Sequence, residues 1–257
     1  MFLNFVVRPG RLVLLLLLLA LLGAGFWAWQ SARSSSEVSA EDALSDFRRR
    51  PGAAGAARPG VPRRGVYTYR QSGRERGGAG PVSITRDLPE EARYVVTSAP
   101  GGFEEELSLS EEHVEGVRFR VSRGGTRAVW RRTDVTFVGF GRDDRRELRP
   151  PPLHMPRRLA VGRTWSGRYA AGSLPVTYRS EVLRREATEV GGERVPAFVV
   201  CTIGDTGGAH PGTRVDTFWW SPRLALPLRW TIDMSVRGTV RLDTDSDLRL
   251  EALTPLR

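Results

Sequence analysis

Asp243, Asp245 and Asp247 share the spacing with which a calcium-binding EF-hand loop begins, and carboxylates so placed can chelate a hard cation. That loop also needs glycine next and glutamate at its twelfth position, where the chain has Leu248 and Thr254. A spacing of two instead puts the three carboxylates on one wet strand face, as solvated charge. The histidines His113, His154 and His210 lie far apart, none in a ligand pair such as two residues four apart, so no metal site is expected. Cys201 is the one thiol, which excludes a disulfide framework, and inside the apolar run Phe198–Ile203 a buried cysteine behaves as a small hydrophobe. Ser108, Ser110 and Ser221 stand in no Gly-x-Ser-x-Gly elbow, and Gly139-Phe140-Gly141 has no helix after it to hold a dinucleotide. These residues imply no catalytic set and no cofactor, and point away from an enzyme.

Aromatic side chains carry more information. Trp165, Phe218, Trp219, Trp220 and Trp230 gather in the C-terminal half. Strand alternation places Trp219 on the face opposite Phe218 and Trp220, so a one-sided core cannot take every ring. Packing in the core is the plain reading. The functional one makes Trp165, Trp219, Trp220 and Trp230 the candidates for lining a ligand cavity or a contact surface.

The elements that position these residues show a period of two. In Val117-Arg118-Phe119-Arg120-Val121 the odd positions are apolar; from Leu228 to Val236 the even ones are. Such alternation is a strand with one buried and one wet face. Further strands are expected over 66–70, 81–86, 92–98, 103–109, 127–140, 176–186, 195–203 and 214–220, separated by glycine turns at Gly124-Gly125, Gly191-Gly192, Gly207-Gly208 and Arg237-Gly238. No helical period follows residue 65, so the body over 65–257 is expected to be an all-β, antiparallel domain. Even-numbered apolar residues on both sides of Gly238 favour a three-residue loop pairing Val236 with Val240. The arginine- and proline-rich stretch 142–163 reads as a long crossover.

Residues 12–29 are uncharged and rich in leucine, long enough as a helix to cross most of a hydrocarbon core about 30 Å thick. Arg8 and Arg11 precede them, whereas Arg33 after them is joined by Glu37, Glu41 and Asp42. The positive-inside bias makes 1–11 a cytoplasmic stub and 12–29 a single-pass signal anchor in the cell membrane, with the rest extracytoplasmic. A cleaved signal peptide is the alternative, though its small-residue cleavage positions are poor. Residues 30–64 read as a flexible linker, with a short helix possible from an N-capping Ser39. The net charge of +10 rests on arginine alone, since the chain has no lysine. Those arginines spread along alternating strand positions on the outer side of a membrane, which argues against nucleic acid and for mild attraction to anionic headgroups or wall polymers.

Three segments carry a family resemblance: Leu159-Ala160-Val161-Gly162-Arg163-Thr164-Trp165, Glu189-Val190-Gly191-Gly192-Glu193-Arg194-Val195-Pro196-Ala197-Phe198, and Trp219-Trp220-Ser221-Pro222-Arg223-Leu224-Ala225-Leu226-Pro227-Leu228-Arg229. They resemble the TapB-like bacterial envelope domains of unknown function, which are similar in shape to lipoprotein-carrier half-barrels. The likeness covers roughly residues 150–250. It implies a strongly curved, half-barrel-like antiparallel sheet whose concave face holds acyl chains in the carriers, and it implies no catalytic residue. The expected role is binding of an apolar ligand such as a lipid or organisation of the cell envelope; docking of another envelope protein is the alternative.

Overall fold

A computed structural model describes residues 35–50, 60–79, 82–137, 140–238 and 241–257. The expected cytoplasmic stub, the expected anchor over 12–29 and parts of the expected linker lie outside these residues. Among the described residues there is one helix, α1 (Ala40–Arg49), and fourteen strands. The strands are β1 (Gly65–Ala79), β2 (Val82–Asp87), β3 (Glu91–Ala99), β4 (Gly102–Ser110), β5 (His113–Ser122), β6 (Gly125–Phe137) and β7 (Phe140–Arg149). There follow β8 (Leu153–Pro156), β9 (Thr164–Ala171), β10 (Leu174–Val190), β11 (Glu193–Thr206), β12 (Gly212–Ser221), β13 (Leu226–Val236) and β14 (Arg241–Leu250).

All pairings are antiparallel, and the strands follow one another around the sheet nearly in chain order. The sheet does not stop at a half-barrel. β1 pairs with β3 through Gly65–Arg70 on one edge and with β14 from Tyr69 to Gly78 on the other, so twelve strands close into a barrel. β2 adds to the far half of β1, and β8 to the near end of β6. Closure joins residues as distant as Tyr69 and Leu250, which a local hydrophobic pattern cannot register. Gly73 makes it sterically possible: its φ is +145°, and a Cβ there would stand 2.1 Å from the Asp245 carbonyl oxygen on β14.

The alternation seen in the sequence sets which side chains enter the barrel. Tyr67, Tyr69, Tyr94, Phe103, Leu107, Leu228, Leu248 and Leu250 belong to one large buried cluster. The long hairpin β10–β11 changes face at a bulge between Val182 and Arg184. Val182 and Val200 before it pack with Phe218, Trp220 and Met155, whereas Val190, Val195, Ala197 and Val199 beyond it join the large cluster. An extra residue at a bulge bends a strand and raises its twist, which is how one hairpin serves two clusters.

Several expectations need correction. The stretch 142–163 is no crossover: it holds β7 and β8. β7 is charged on both faces because its inner side chains Asp144 and Arg146 face a polar interior, so the apolar alternation that marks other strands is missing. The short helix expected from Ser39 is present, but residues 35–50, read as part of a flexible linker, are docked on the barrel. Ser39 caps α1 by accepting from the Asp42 amide at 3.0 Å, and Ala43, with Val38, Leu44 and Phe47, packs on Val66 and Val95 of the barrel's outer face. Glu37 on Arg93 at 2.9 Å and Arg50 on Glu106 at 2.5 Å fasten both ends of this segment. Val236 pairs with Leu242 rather than Val240, so parity survives in a longer loop, whose residues 239–240 lie outside those described. Cys201 is only partly buried, being on the strand face opposite Val200.

Candidate functional site

Inside the barrel lies a cavity of about 580 Å³, within the size range of small-molecule sites. β5, β6, β7, β9, β10, β12 and β13 supply most of its wall. Two chemistries share it. One flank is aromatic: Phe119, His154, Phe218, Trp220 and Trp230. The His154 ring stands 4.9 Å from Phe119, 5.6 Å from Phe218 and 5.9 Å from Trp220, centroid to centroid. Burial among these rings pushes its pKa down to about 4, so it is neutral at neutral pH.

The other flank is ionic. Glu115 on β5 receives Arg214 Nη1 at 2.6 and 2.8 Å and lies 3.4 Å from Arg131 Nη2. Arg214 Nε donates to both oxygens of Asp216 at 3.0 and 2.9 Å, and Trp230 Nε1 donates to Asp216 at 2.9 Å. Arg146 pairs with Asp144 on the same strand and lies directly across from Arg131 in the β6–β7 register. Behind this layer, His113 is wholly buried between Glu75, bound at Nδ1, and Glu115, 3.3 Å from Nε2. A neutral imidazole has a single donor, so two carboxylate acceptors require the imidazolium. Desolvation opposes that charge, but the two carboxylates outweigh it and raise the His113 pKa to about 9. Desolvation likewise works against Glu75, yet His113 and Arg86, at 2.7 Å, hold its pKa down to about 2. Burial of Glu115 is overcome in the same way by Arg214, Arg131 and His113, keeping it well below the usual range.

Glu105 on β4 differs. It lines the cavity, its pKa is pushed up to about 8 by burial, and Tyr94 is its hydrogen-bond partner. With Glu105 neutral, the described lining carries four arginines, Arg131, Arg146, Arg214 and Arg241, against three carboxylates, Glu115, Asp144 and Asp216. The Arg131 Nε is buried without a hydrogen-bond partner.

Of the tryptophans singled out in the sequence, Trp220 and Trp230 line the cavity. Trp165 packs beside the smaller cluster and donates to the Leu153 carbonyl at 3.1 Å, as a partly buried wall residue. Trp219 takes the opposite face, as alternation required: its Nε1 donates to Glu186, and Arg229 stacks over its ring at 4.4 Å. Asp243, Asp245 and Asp247 face outward, and Asp247 pairs with Arg229 at 2.7 Å. The ionic flank had no local signal. His113 looked like a lone histidine: Glu115 stands two residues along the same strand, but Glu75 is 38 residues away and is adjacent only through the fold of the sheet.

No protein-family model matches the chain, and no curated protein does. The TapB-like resemblance therefore rests on its three segments alone. Among solved structures the chain is similar to the hypothetical lipoprotein YmcC from Escherichia coli, at 11% identity and a TM-score of 0.35, over 82% of this chain and 97% of that one.

Proposed function

We propose that the barrel is a binding protein for a single-chain anionic amphiphile. The ligand's head sits by Arg131 and Arg146, and its chain lies along Phe119, Phe218, Trp220 and Trp230. The observation that carries this reading is the division of one interior cavity between an arginine-rich flank and an aromatic flank. The excess of one arginine over the carboxylates favours an anion, and the Arg131 Nε is a donor without a partner among the described residues. Binding rather than catalysis fits the ionic flank, because Glu75, Glu115, Asp144 and Asp216 are each engaged by a cation and none stands free as a base. The apolar segment 12–29 and the arginines before it support a location at the outer face of a cell membrane, where such ligands are found.

The test is calorimetric titration of the full chain in lipid nanodiscs, against empty discs, with palmitate and with hexadecyltrimethylammonium. Palmitate should saturate at one molecule per barrel while the cation gives only the signal of the empty discs. Equal binding of both, or no binding beyond the empty discs, would overturn the proposal.

A further inference from the structure

One group in the cavity is left over by this reading. Glu105 is 9% exposed, and its Oε1 is buried without a hydrogen-bond partner among the described residues. Its surroundings are tyrosine and valine: Tyr94 hydrogen-bonds the carboxyl, Val96 and Val117 stand opposite it on the two neighbouring strands, and Tyr67 and Tyr69 face it from β1. No arginine among the described residues forms a salt bridge with it, unlike Glu104 and Glu106 on either side, which pair outward with Arg118 at 2.9 Å and Arg50 at 2.5 Å. An acid so placed is held as the neutral carboxyl, which has one O–H to give. Tyr94 donates to the carboxyl, and the side chain borders the cavity, the side from which an acceptor on a ligand can approach it.

Register fixes where that donor stands relative to the proposed head site. Glu105 pairs with Val117, Val117 with Arg131, and Arg131 with Arg146, in one row across four strands. Neighbouring strands are about 4.8 Å apart, so Glu105 and Arg131 are separated by roughly 10 Å at their backbones. Long side chains reaching inward close much of that gap. An anion held at Arg131 and Arg146 therefore brings the next few atoms of the ligand past Val117 to Glu105.

We infer that Glu105 is a specificity-determining residue, donating a hydrogen bond to an uncharged carbonyl oxygen placed between the anionic head and the alkyl chain. The ligand class is then an acyl ester or amide with an anionic head, rather than a plain fatty acid. This rests on the amphiphile-binding reading and narrows it. A purely alkyl ligand would leave the buried O–H unpaired on binding, and a neutral hydrogen bond corresponds to about a 3- to 10-fold preference in affinity.

Acyl and alkyl glycerol phosphates of equal chain length differ in that carbonyl alone and are the probes. Their dissociation constants are measured on the full chain in nanodiscs, for the wild type, E105Q and E105L. The wild type should favour the acyl form about 3- to 10-fold; E105Q, which keeps an uncharged donor, should retain the preference. E105L should bind the alkyl form at least as well as the wild type and show no preference. Equal affinities in the wild type, or a preference that survives in E105L, overturn the inference while leaving amphiphile binding intact. Binding of neither probe overturns both. Should E105L fail to fold, the two probes on the wild type alone still decide.

Discussion

The barrel has two sectors that obey the same alternation and end differently. Around β1, β3, β4 and the ends of β13 and β14 the inward side chains fill the interior: Tyr67, Tyr69, Tyr94, Phe103 and Leu248 are all nearly fully buried in one cluster, and the Tyr69 hydroxyl donates to the Pro227 carbonyl at 2.6 Å. Around β5 to β7 and β9 to β12 the interior stays open, and the inward positions mix charged, aromatic and small residues with aliphatic ones such as Val117, Leu148 and Val176. The seams differ in parallel. β1 and β14 pair along Tyr69–Gly78, whereas β7 meets β9 only through Leu148 with Ala171 and Arg149 with Ala170. Apolar side chains gain by interdigitating until no void remains. Paired charges gain by holding their partners at fixed positions, which keeps opposite walls apart and leaves space between them.

Substitutions should separate the sectors. The largest effect is expected for E75L, which removes the shared acceptor of Arg86, His113 and Thr244 and strands two buried cations. Urea unfolding should show a loss of about 3–5 kcal/mol. F103A in the filled sector should cost about 3–5 kcal/mol by opening a cavity against Phe119, whose ring is 5.1 Å away. L148A, which borders space already open, should cost about 2 kcal/mol, near the low end for such truncations. Equal losses at both positions would erase the distinction between packed and open sectors. R146Q should leave unfolding nearly unchanged and weaken palmitate about tenfold, equivalent to about 1.4 kcal/mol.

A pH series sharpens the comparison further. His113 is raised from 6.5 to about 9 in the folded chain, so its contribution is fully present below pH 6.5 and is lost as pH rises through about 9. Glu105, raised from 4.5 to about 8, acts in the same direction over a lower window, because the unfolded chain ionises first. Glu75 is lowered to about 2, so its contribution is present above pH 4.5 and fades below. The melting temperature should therefore fall from about pH 5 to 9 in the wild type. In E105Q the decline should begin only near pH 6.5, and a wild-type-like slope at pH 5–6.5 would deny Glu105 its neutral state. W219F should cost about 1–2 kcal/mol, since Trp219 is buried in the large cluster and loses its bond to Glu186, but its ring lies under Arg229, away from the open interior.

The filled sector was the more legible. The strands expected over 66–70, 92–98 and 103–109 are β1, β3 and β4 of that sector, and in the open sector only the strands with apolar alternation, such as Val117 to Val121, displayed themselves as plainly. Closure was not legible, because Tyr69 meets Leu250 across nearly the whole body and a hydrophobic pattern is local. The open sector was hidden for a different reason. A strand whose inner face carries Asp144 and Arg146 has no apolar face to reveal it, and Glu105 is masked by two outward-facing glutamates of the same type. His113 shows no spacing motif because Glu75, the acceptor it shares with Arg86, belongs to another strand.

Quenching by a brominated stearate tests lumenal binding most directly, since bromine acts only on indoles close to it. With the full chain in nanodiscs, emission should fall to a plateau at one equivalent; replacing Trp220 and Trp230 together by phenylalanine should abolish most of that fall, and W219F should leave it unchanged. Quenching that passes through Trp219, or that follows the lipid of the disc without saturating, would contradict a ligand held inside the barrel.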